Sequence, residues 1–143
     1  MKISAKLDYA LRLLVNLADS KDQYIPTSEI ANKEDMSLKF LQSIVKTLKN
    51  AGVIEAMNGP HGGIKFAKSP KDITFLQIYE IFHEDLRVVE PCKELITCSH
   101  INACGIQNII YEGQMKMREY FQSITLEYLA QQNAQVISIH ESI

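Results

Sequence analysis

The chain has 143 residues, of which 46% are hydrophobic and 22% charged, and its formal net charge is −2. This is the composition of an ordinary soluble globular protein, and the length allows one domain, or a small domain with an added dimerisation segment. No apolar run reaches the roughly 18 residues of a membrane-spanning helix, and the amphipathic N-terminus is unlike a signal peptide. We therefore expect a cytoplasmic protein that does not act at a membrane.

The charge is distributed unevenly along the chain. Residues 1–71 carry 11 Lys and Arg against 7 Asp and Glu, whereas residues 72–143 carry 4 against 10. A basic first half is suited to a polyanionic partner such as DNA, although this signal is weak when taken alone.

The first predicted element is an amphipathic helix over about residues 4–19, in which apolar residues recur at intervals of three and four. Asp8 and Arg12 lie four residues apart on its flank and can form a weak ion pair. A polar turn follows and ends at Pro26.

Two more helices are predicted next, with a short connection between them. Thr27 or Ser28 can cap the first, and Ser37 can cap the second, which Gly52 ends at the position after the C-cap. The outward face of the second helix combines positive charges with amide and hydroxyl groups and contains no acid. Taken alone it could be a solvated face, but the helix pair is typical of a helix-turn-helix, which places its second helix in the DNA major groove. The residues expected to contact DNA from this helix are Ser37, Lys39, Gln42, Ser43, Lys46 and Lys49.

A β-hairpin is predicted directly after this helix. Two β-prone runs, residues 53–57 and 64–67, flank a tip that is rich in glycine and proline. The tip alone would be only a loop, but a hairpin after a recognition helix is typical of a wing. Its glycines allow close approach to phosphate, and Lys65 can add a donor. The tip residues expected at the DNA are Asn58, Gly59, Pro60, His61, Gly62 and Gly63.

Thr74 and Gln77 form a capping box, which predicts a helix that leads into a segment containing all three cysteines of the chain. Cys92, Cys98 and Cys104 are separated by five residues each. Thiolates are soft ligands for iron, zinc or copper(I). Zinc sites usually show two-residue spacers, whereas the wider spacing suits the larger size of an iron–sulfur cluster. An odd cysteine count and very short loops argue against disulfides, while inert buried thiols and a structural zinc site remain alternatives.

A long helix is predicted after the last cysteine. Its apolar positions from Ile106 to Ile124 form a stripe larger than one small core needs, which favours a dimer interface. Gly113 would let two backbones approach closely. A short final helix is expected over residues 125–130, followed by a mobile tail.

The chain resembles the family of winged-helix bacterial regulators that includes IscR, NsrR, RirA and CymR. The resemblance extends over roughly residues 1–130 and is carried by residues 4–12, residues 37–41, the tip at 59–63 and the three-cysteine segment. It implies a homodimer that binds double-stranded promoter DNA, with an iron–sulfur cluster on the three cysteines controlling its affinity.

The fourth cluster ligand varies within this family. IscR-like members use a histidine three residues after the third cysteine, where this chain has Gln107. NsrR-like members use an aspartate in the first helix of the other subunit, and Asp8 stands at the matching position. The resemblance therefore implies Asp8 of the partner subunit as the fourth ligand, with His100 as the alternative, and it favours a [4Fe–4S] over a [2Fe–2S] cluster. A plainer explanation of Asp8 is its favourable interaction with the helix dipole.

These observations predict a mainly α fold with a small β-hairpin, that is, a winged helix-turn-helix joined to a long dimerisation helix. The expected organisation is a DNA-binding region at 1–71, a connector helix and cysteine segment at 72–104, the dimerisation and final helices at 105–132, and the tail at 133–143.

The predicted function is that of a homodimeric transcriptional repressor that senses iron, redox state or nitric oxide through the cluster. The alternative is a cluster-free regulator of the same fold that responds to thiol redox or to a partner protein. The sequence contains no nucleophile–base pair, phosphate loop or substrate motif, so we expect neither an enzyme nor a small-molecule substrate.

Overall fold

The structure is a computed structural model that describes residues 3–20, 23–83, 86 and 105–141, with the side chains of the last helix described up to residue 134. It confirms the predicted fold class, with helices packed around one hydrophobic core and a two-stranded antiparallel hairpin. The elements in chain order are α1 (Ala5–Ala18), α2 (Thr27–Lys33), α3 (Leu38–Asn50), β1 (Ile54–Met57), β2 (Gly63–Phe66), a 3₁₀ turn (Pro70–Asp72), α4 (Phe75–Phe82), α5 (Gly105–Ser123) and α6 (Leu126–Glu141). Cys92, Cys98, Cys104 and His100 lie outside the described residues.

Helix α1 is the centre of the core. Ser4 caps it, since its Oγ accepts a hydrogen bond from the Leu7 amide at 3.3 Å. Leu7, Leu13 and Leu14 are fully buried, and the helix packs against α3, α4 and α6. The predicted amphipathic helix is confirmed, and its contacts tie the half that is predicted to bind DNA to the second half of the chain.

Helices α2 and α3 form the helix-turn-helix. The Ser37 cap of α3 is confirmed, because Ser37 Oγ accepts from the Phe40 amide at 3.4 Å, and Gly52 adopts a φ of +69° after the helix end. The prediction that Thr27 or Ser28 caps α2 is wrong. The N-cap is Pro26, without a side-chain hydrogen bond, because the chain enters the helix one residue earlier than the hydroxyl residues would require.

The wing is attached to the segment that precedes α2. Strands β1 and β2 pair from Ile54 with Phe66 to Met57 with Gly63. Ile25 and Ile64 exchange two backbone hydrogen bonds of 2.9 Å, so a bridge from the α1–α2 connection extends the hairpin. Strand β2 is therefore hydrogen-bonded to β1 along one edge and, at Ile64, to Ile25 along the other.

Helices α4, α5 and α6 build the second half. The Thr74–Gln77 capping box is confirmed, with hydrogen bonds of 3.3 and 2.9 Å. Phe121 of α5 packs on Phe75 at 4.6 Å between ring centroids, and Arg118 pairs with Glu80 at 2.6 Å. These contacts attach the C-terminal part of α5 to α4.

The prediction of a short final helix is wrong. Helix α6 runs over Leu126–Glu141 and so continues through most of the stretch expected to be a tail. The reason is local: residues 126–141 contain no glycine or proline and many strong helix formers, including Leu, Ala, Gln and Glu. Within the described ranges, no helix is long and apolar enough to cross a membrane.

Candidate nucleic-acid interface and sensor residues

Helix α3 separates an apolar face from a polar one. Leu41, Ile44 and Leu48 are buried in the core, while the polar side chains of the opposite face point to solvent. The residues predicted to contact DNA from this face are all exposed: Ser37, Lys39, Gln42, Ser43, Lys46 and Lys49. The structure thus places them together on one accessible side of the helix, and their contact with DNA stays a prediction.

Two of these hydroxyls already have local roles. Ser37 Oγ caps α3, and Ser43 Oγ donates to the Phe40 carbonyl at 2.7 Å. Because Ser37 is an acceptor in its cap, its proton can still be donated to a base or a phosphate. Ser43 keeps only acceptor capacity while it makes this bond, which suits a base amino group better than a phosphate.

The wing tip combines exposed residues with one glycine, Gly62, that the turn itself requires. Asn58, Gly59, Pro60 and His61 are exposed. A Cβ atom on Gly62 would lie 2.2 Å from the Met57 carbonyl oxygen. This close approach to the backbone is enough to require glycine at position 62, whether or not Gly62 contacts DNA. The sequence did not reveal this structural requirement.

Lys65 is engaged within the wing. Its Nζ lies 2.8 Å from Glu55 Oε1 and 4.9 Å from the centre of the Tyr24 ring, and the Tyr24 hydroxyl donates to Glu55 at 3.2 Å. The hydrogen bond from Lys65 lowers the pKa of Glu55, and that from Tyr24 adds to the effect. The ion pair of Lys65 and Glu55 is therefore fully formed at pH values above the ordinary titration range of a carboxyl group, and it is lost as the pH falls through the lowered pKa of Glu55. It also makes Lys65 a weaker candidate for phosphate binding than the lysines of α3.

Asp8 belongs to a row of polar side chains on α1. Its Oδ2 accepts from Arg12 Nε at 3.1 Å, which confirms the predicted pair, and 44% of its side chain is exposed. Arg12 Nη1 also lies 3.6 Å from Glu34 Oε2. Asp8 is the largest cause of the raised pKa of Arg12, and Glu34 contributes. The guanidinium thus joins α1 to the end of α2.

Asn16 completes this row from a buried position. Its Nδ2 donates to Glu34 Oε1 at 2.7 Å and to the Arg12 carbonyl at 2.9 Å. Sequence reasoning missed the contribution of Glu34 and Asn16. A signal was present, because Asp8, Arg12 and Asn16 follow one another at four-residue intervals and so share a side of the helix.

The three cysteines and His100 fall outside the described residues, and Gln107 lies half-buried in the first turn of α5. Among the residues that are described, no group of three or more His, Cys, Asp or Glu side chains could hold a metal ion. Asp8 is accordingly the one proposed ligand whose surroundings are known.

Comparison with known proteins agrees with this architecture. The sequence profile of the Rrf2 family, described as iron-dependent transcriptional regulators, matches residues 3–132. The regulator NsrR of Halalkalibacterium halodurans is 28% identical over 131 residues, which are 90% of this chain and 90% of that protein. The regulator IscR of Cereibacter sphaeroides is 34% identical over 92 residues, which are 62% of this chain and 59% of that protein.

Solved structures show the same fold. CymR of Bacillus subtilis, a global cysteine regulator, superposes with a TM-score of 0.78 and 25% identity, over 92% of this chain and 97% of that one. An IscR structure from T. potens superposes with a TM-score of 0.71 over 93% of this chain and 88% of that one, at 21% identity. On the strength of its match over residues 3–132, the chain belongs to the Rrf2 family of winged-helix transcriptional regulators.

Proposed function

We propose that the protein is a homodimeric repressor that binds promoter DNA and senses iron, redox state or nitric oxide through an iron–sulfur cluster. Cys92, Cys98 and Cys104 would bind the cluster together with Asp8 of the partner subunit. The observation that carries the proposal is the even spacing of these cysteines in a chain of this family. Such a regulator would act in the cytoplasm, without catalytic activity or a small-molecule substrate.

The exposed face of α3 supports the proposal for DNA. Lys39, Lys46 and Lys49 share this face with amide and hydroxyl groups, and in the described residues none of the three lysines forms an ion pair. Lysines neutralise phosphates, while amides and hydroxyls read base edges in the major groove. The tip residues from Asn58 to His61 would contact the DNA sugar–phosphate backbone beside the groove that α3 enters.

The Asp8 carboxylate fits the requirements of a fourth ligand. It is partly exposed, and its partner within the chain is a flexible, exposed arginine rather than a buried group. A bound cluster would supply sensitivity to oxygen, nitric oxide and iron supply. Carboxylate oxygen is a harder ligand than thiolate, so a site with Asp8 would be more labile than one with four cysteines. The resemblance to the NsrR-like members of the family is what favours a [4Fe–4S] over a [2Fe–2S] cluster.

The polar row on α1 offers a route from Asp8 to the DNA-binding helices. Arg12 is shared between Asp8 and Glu34, and Glu34 caps the end of α2. When Asp8 is withdrawn from Arg12, the guanidinium is left to Glu34 alone. The charge balance at the turn between α2 and α3 then changes, which provides a physical link between the sensor ligand and the position of α3.

The replacement of Asp8 tests this assignment. We expect Asp8→Ala to keep the fold and the dimer but to change the visible spectrum of the cluster or shorten its lifetime in air. Asp19→Ala is the matched control, since Asp19 is an exposed acid at the other end of α1. A spectrum and lifetime equal to those of the unaltered protein would remove Asp8 from the ligand set and direct attention to His100.

A second candidate function is a cluster-free regulator that responds to thiol oxidation or to a partner protein. It is favoured by the similarity to the B. subtilis CymR structure, which is described as a cysteine regulator. The two candidates differ in a simple property: the second predicts a colourless protein that holds no iron or sulfide and still binds its operator.

A further inference from the structure

A hydrogen bond joins the start of α1 to the end of α4. Ser4 Oγ and His83 Nε2 lie 3.2 Å apart, although the two residues are 79 positions apart in the sequence. Ser4 is also the N-cap of α1, where its Oγ accepts from the Leu7 amide. A hydroxyl can accept from the amide and donate to the imidazole at the same time, so one side chain both begins α1 and holds the end of α4.

His83 is held on its other side by aromatic packing. Its ring stacks on Tyr79 with 4.7 Å between centroids and an interplanar angle of 28°. The rings of Tyr79 and Phe121 of α5 lie beside each other, with 6.4 Å between their centroids. The imidazole therefore stands at the junction of α1, α4 and α5, and it is half-buried there.

This junction lies directly before the cysteine segment in the sequence. His83 is the C-cap of α4, Leu86 is buried in the core, and Cys92 follows six residues later. On the side of α1, Asp8 lies one turn after Ser4. A displacement of the segment that begins after His83 would thus reach the first turn of α1 through one hydrogen bond.

We propose that His83 is a positioning residue that transmits the state of the three-cysteine segment to α1, and through α1 to the helix-turn-helix. The proposal rests on the proposed function for the identity of the signal. It assigns His83 no contact with a ligand or with DNA: the residue acts by holding the end of α4 against the cap of α1.

The test compares operator affinity with and without the cluster in His83→Ala and in the unaltered protein, by fluorescence anisotropy under anaerobic conditions. We expect iron content and visible spectrum to be unchanged in His83→Ala. The ratio of the larger to the smaller dissociation constant should be about two- to tenfold lower than in the unaltered protein, and so closer to one. Ser4→Gly should give the same result, since glycine keeps most of the cap stability but removes the hydroxyl.

Thr74→Ala is the matched control. It breaks the capping box at the other end of α4 and lowers stability without touching Ser4 or His83, so it should leave the ratio unchanged. In the double variant with Ser4→Gly and His83→Ala, the ratio should equal that of either single variant, since both remove the same bond. A ratio in His83→Ala equal to that of the unaltered protein, with the cluster bound, overturns the inference and leaves the proposed function standing.

If the unaltered protein binds no cluster, the proposed function fails, and the inference is judged on thiol modification instead. The three cysteines are alkylated with iodoacetamide, and operator affinity is measured before and after. A change in affinity that is at least about twofold smaller in His83→Ala than in the unaltered protein supports the inference. An equal change in both proteins, or no change in either, contradicts it.

Discussion

At the residue scale, Gly63 shows why the wing needs a glycine at the start of β2. Its φ is +154°, and a Cβ atom there would lie 2.3 Å from the Ile25 carbonyl oxygen. This contact belongs to the bridge between Ile25 and Ile64 that fastens the wing. From the sequence, Gly63 was predicted only as a residue close to DNA. The structural requirement was not predictable, because it depends on Ile25, a bridge residue 38 positions earlier in the chain.

We expect Gly63→Ala to lower the free energy of unfolding by about 2–4 kcal/mol, because a backbone atom blocks the added methyl group and the conformation is unfavourable for alanine. Gly52→Ala is the control, since Gly52 also has a positive φ of +69° but open space around it, and it should cost only about 1–2 kcal/mol. Urea denaturation followed by circular dichroism measures both. Equal costs for the two substitutions would show that the close approach to Ile25 is not significant.

The polar row on α1 marks the limit of sequence reasoning at this scale. The pair of Asp8 and Arg12 follows from their four-residue spacing, and the structure confirms it. The extension to Glu34 and the burial of Asn16 depend on how closely α2 packs against α1. Helical periodicity indicates that residues share a side of a helix, but it does not identify the neighbouring element.

At the element scale, helix boundaries were predictable wherever a side chain makes the cap. Ser37 and Thr74 each accept the backbone hydrogen bond predicted for them, and Ser4 caps α1 at the predicted start of that helix. The predictions were wrong where no such side chain acts, at the start of α2 and at the end of α6. In the second case the helix continues because nothing in its sequence stops it.

The outer face of α3 yields a prediction about salt dependence. Lys39→Ala and Lys46→Ala should each weaken operator binding and reduce the slope of log affinity against log salt by about two, as expected when each subunit of the proposed homodimer loses one phosphate contact. Lys71→Ala, in the 3₁₀ turn that packs against α6, lies outside the outer face of α3 and should change neither quantity. A titration of fluorescent operator DNA between about 50 and 300 mM salt would provide the comparison, since a slope difference of about two changes the relative affinity by about one and a half decades over this range. Normal slopes for both α3 variants would show that this face does not enter the groove.

At the scale of the whole molecule, α5 stands out among the long helices because none of its residues is buried in the part of the chain that the structure describes. Ile106 and Ile109 are 71% and 72% exposed, and Tyr120, on the same side of the helix, is exposed as well. Only the C-terminal part of the helix is attached to α4, through Phe121 and its neighbours. An apolar helix face of this kind is suited to a second copy of the chain, which is the partner that our proposal requires.

We expect Ile109→Glu to convert the dimer into a monomer and to reduce operator affinity, because a charge would be buried in the interface. Met57→Glu is the control, since it places the same charge at an exposed apolar residue of the wing and should leave the oligomeric state unchanged. Light scattering coupled to size-exclusion chromatography measures the mass of each. A dimer that persists in Ile109→Glu would place the interface elsewhere.

The architecture as a whole was more predictable than the sensor. Hydrophobic periodicity, caps and the glycine-rich tip lead to the winged helix and its order of elements, all of which depend on local patterns. The arrangement of Cys92, Cys98 and Cys104 with Asp8 involves residues that lie far apart in the sequence and, in the proposal, on two subunits. Spacing identifies these cysteines as candidate ligands, but no local pattern determines what they bind.

The most direct test of the central claim is an anaerobic purification, followed by a visible absorption spectrum and by iron and acid-labile sulfide analysis per dimer. Our account predicts a brown protein with near-equal amounts of iron and sulfide, and the amount of iron per dimer would distinguish a [4Fe–4S] from a [2Fe–2S] cluster. A colourless protein that contains neither, resists reconstitution and still binds its operator would contradict it and leave a regulator whose cysteines respond to thiol redox or to a partner protein.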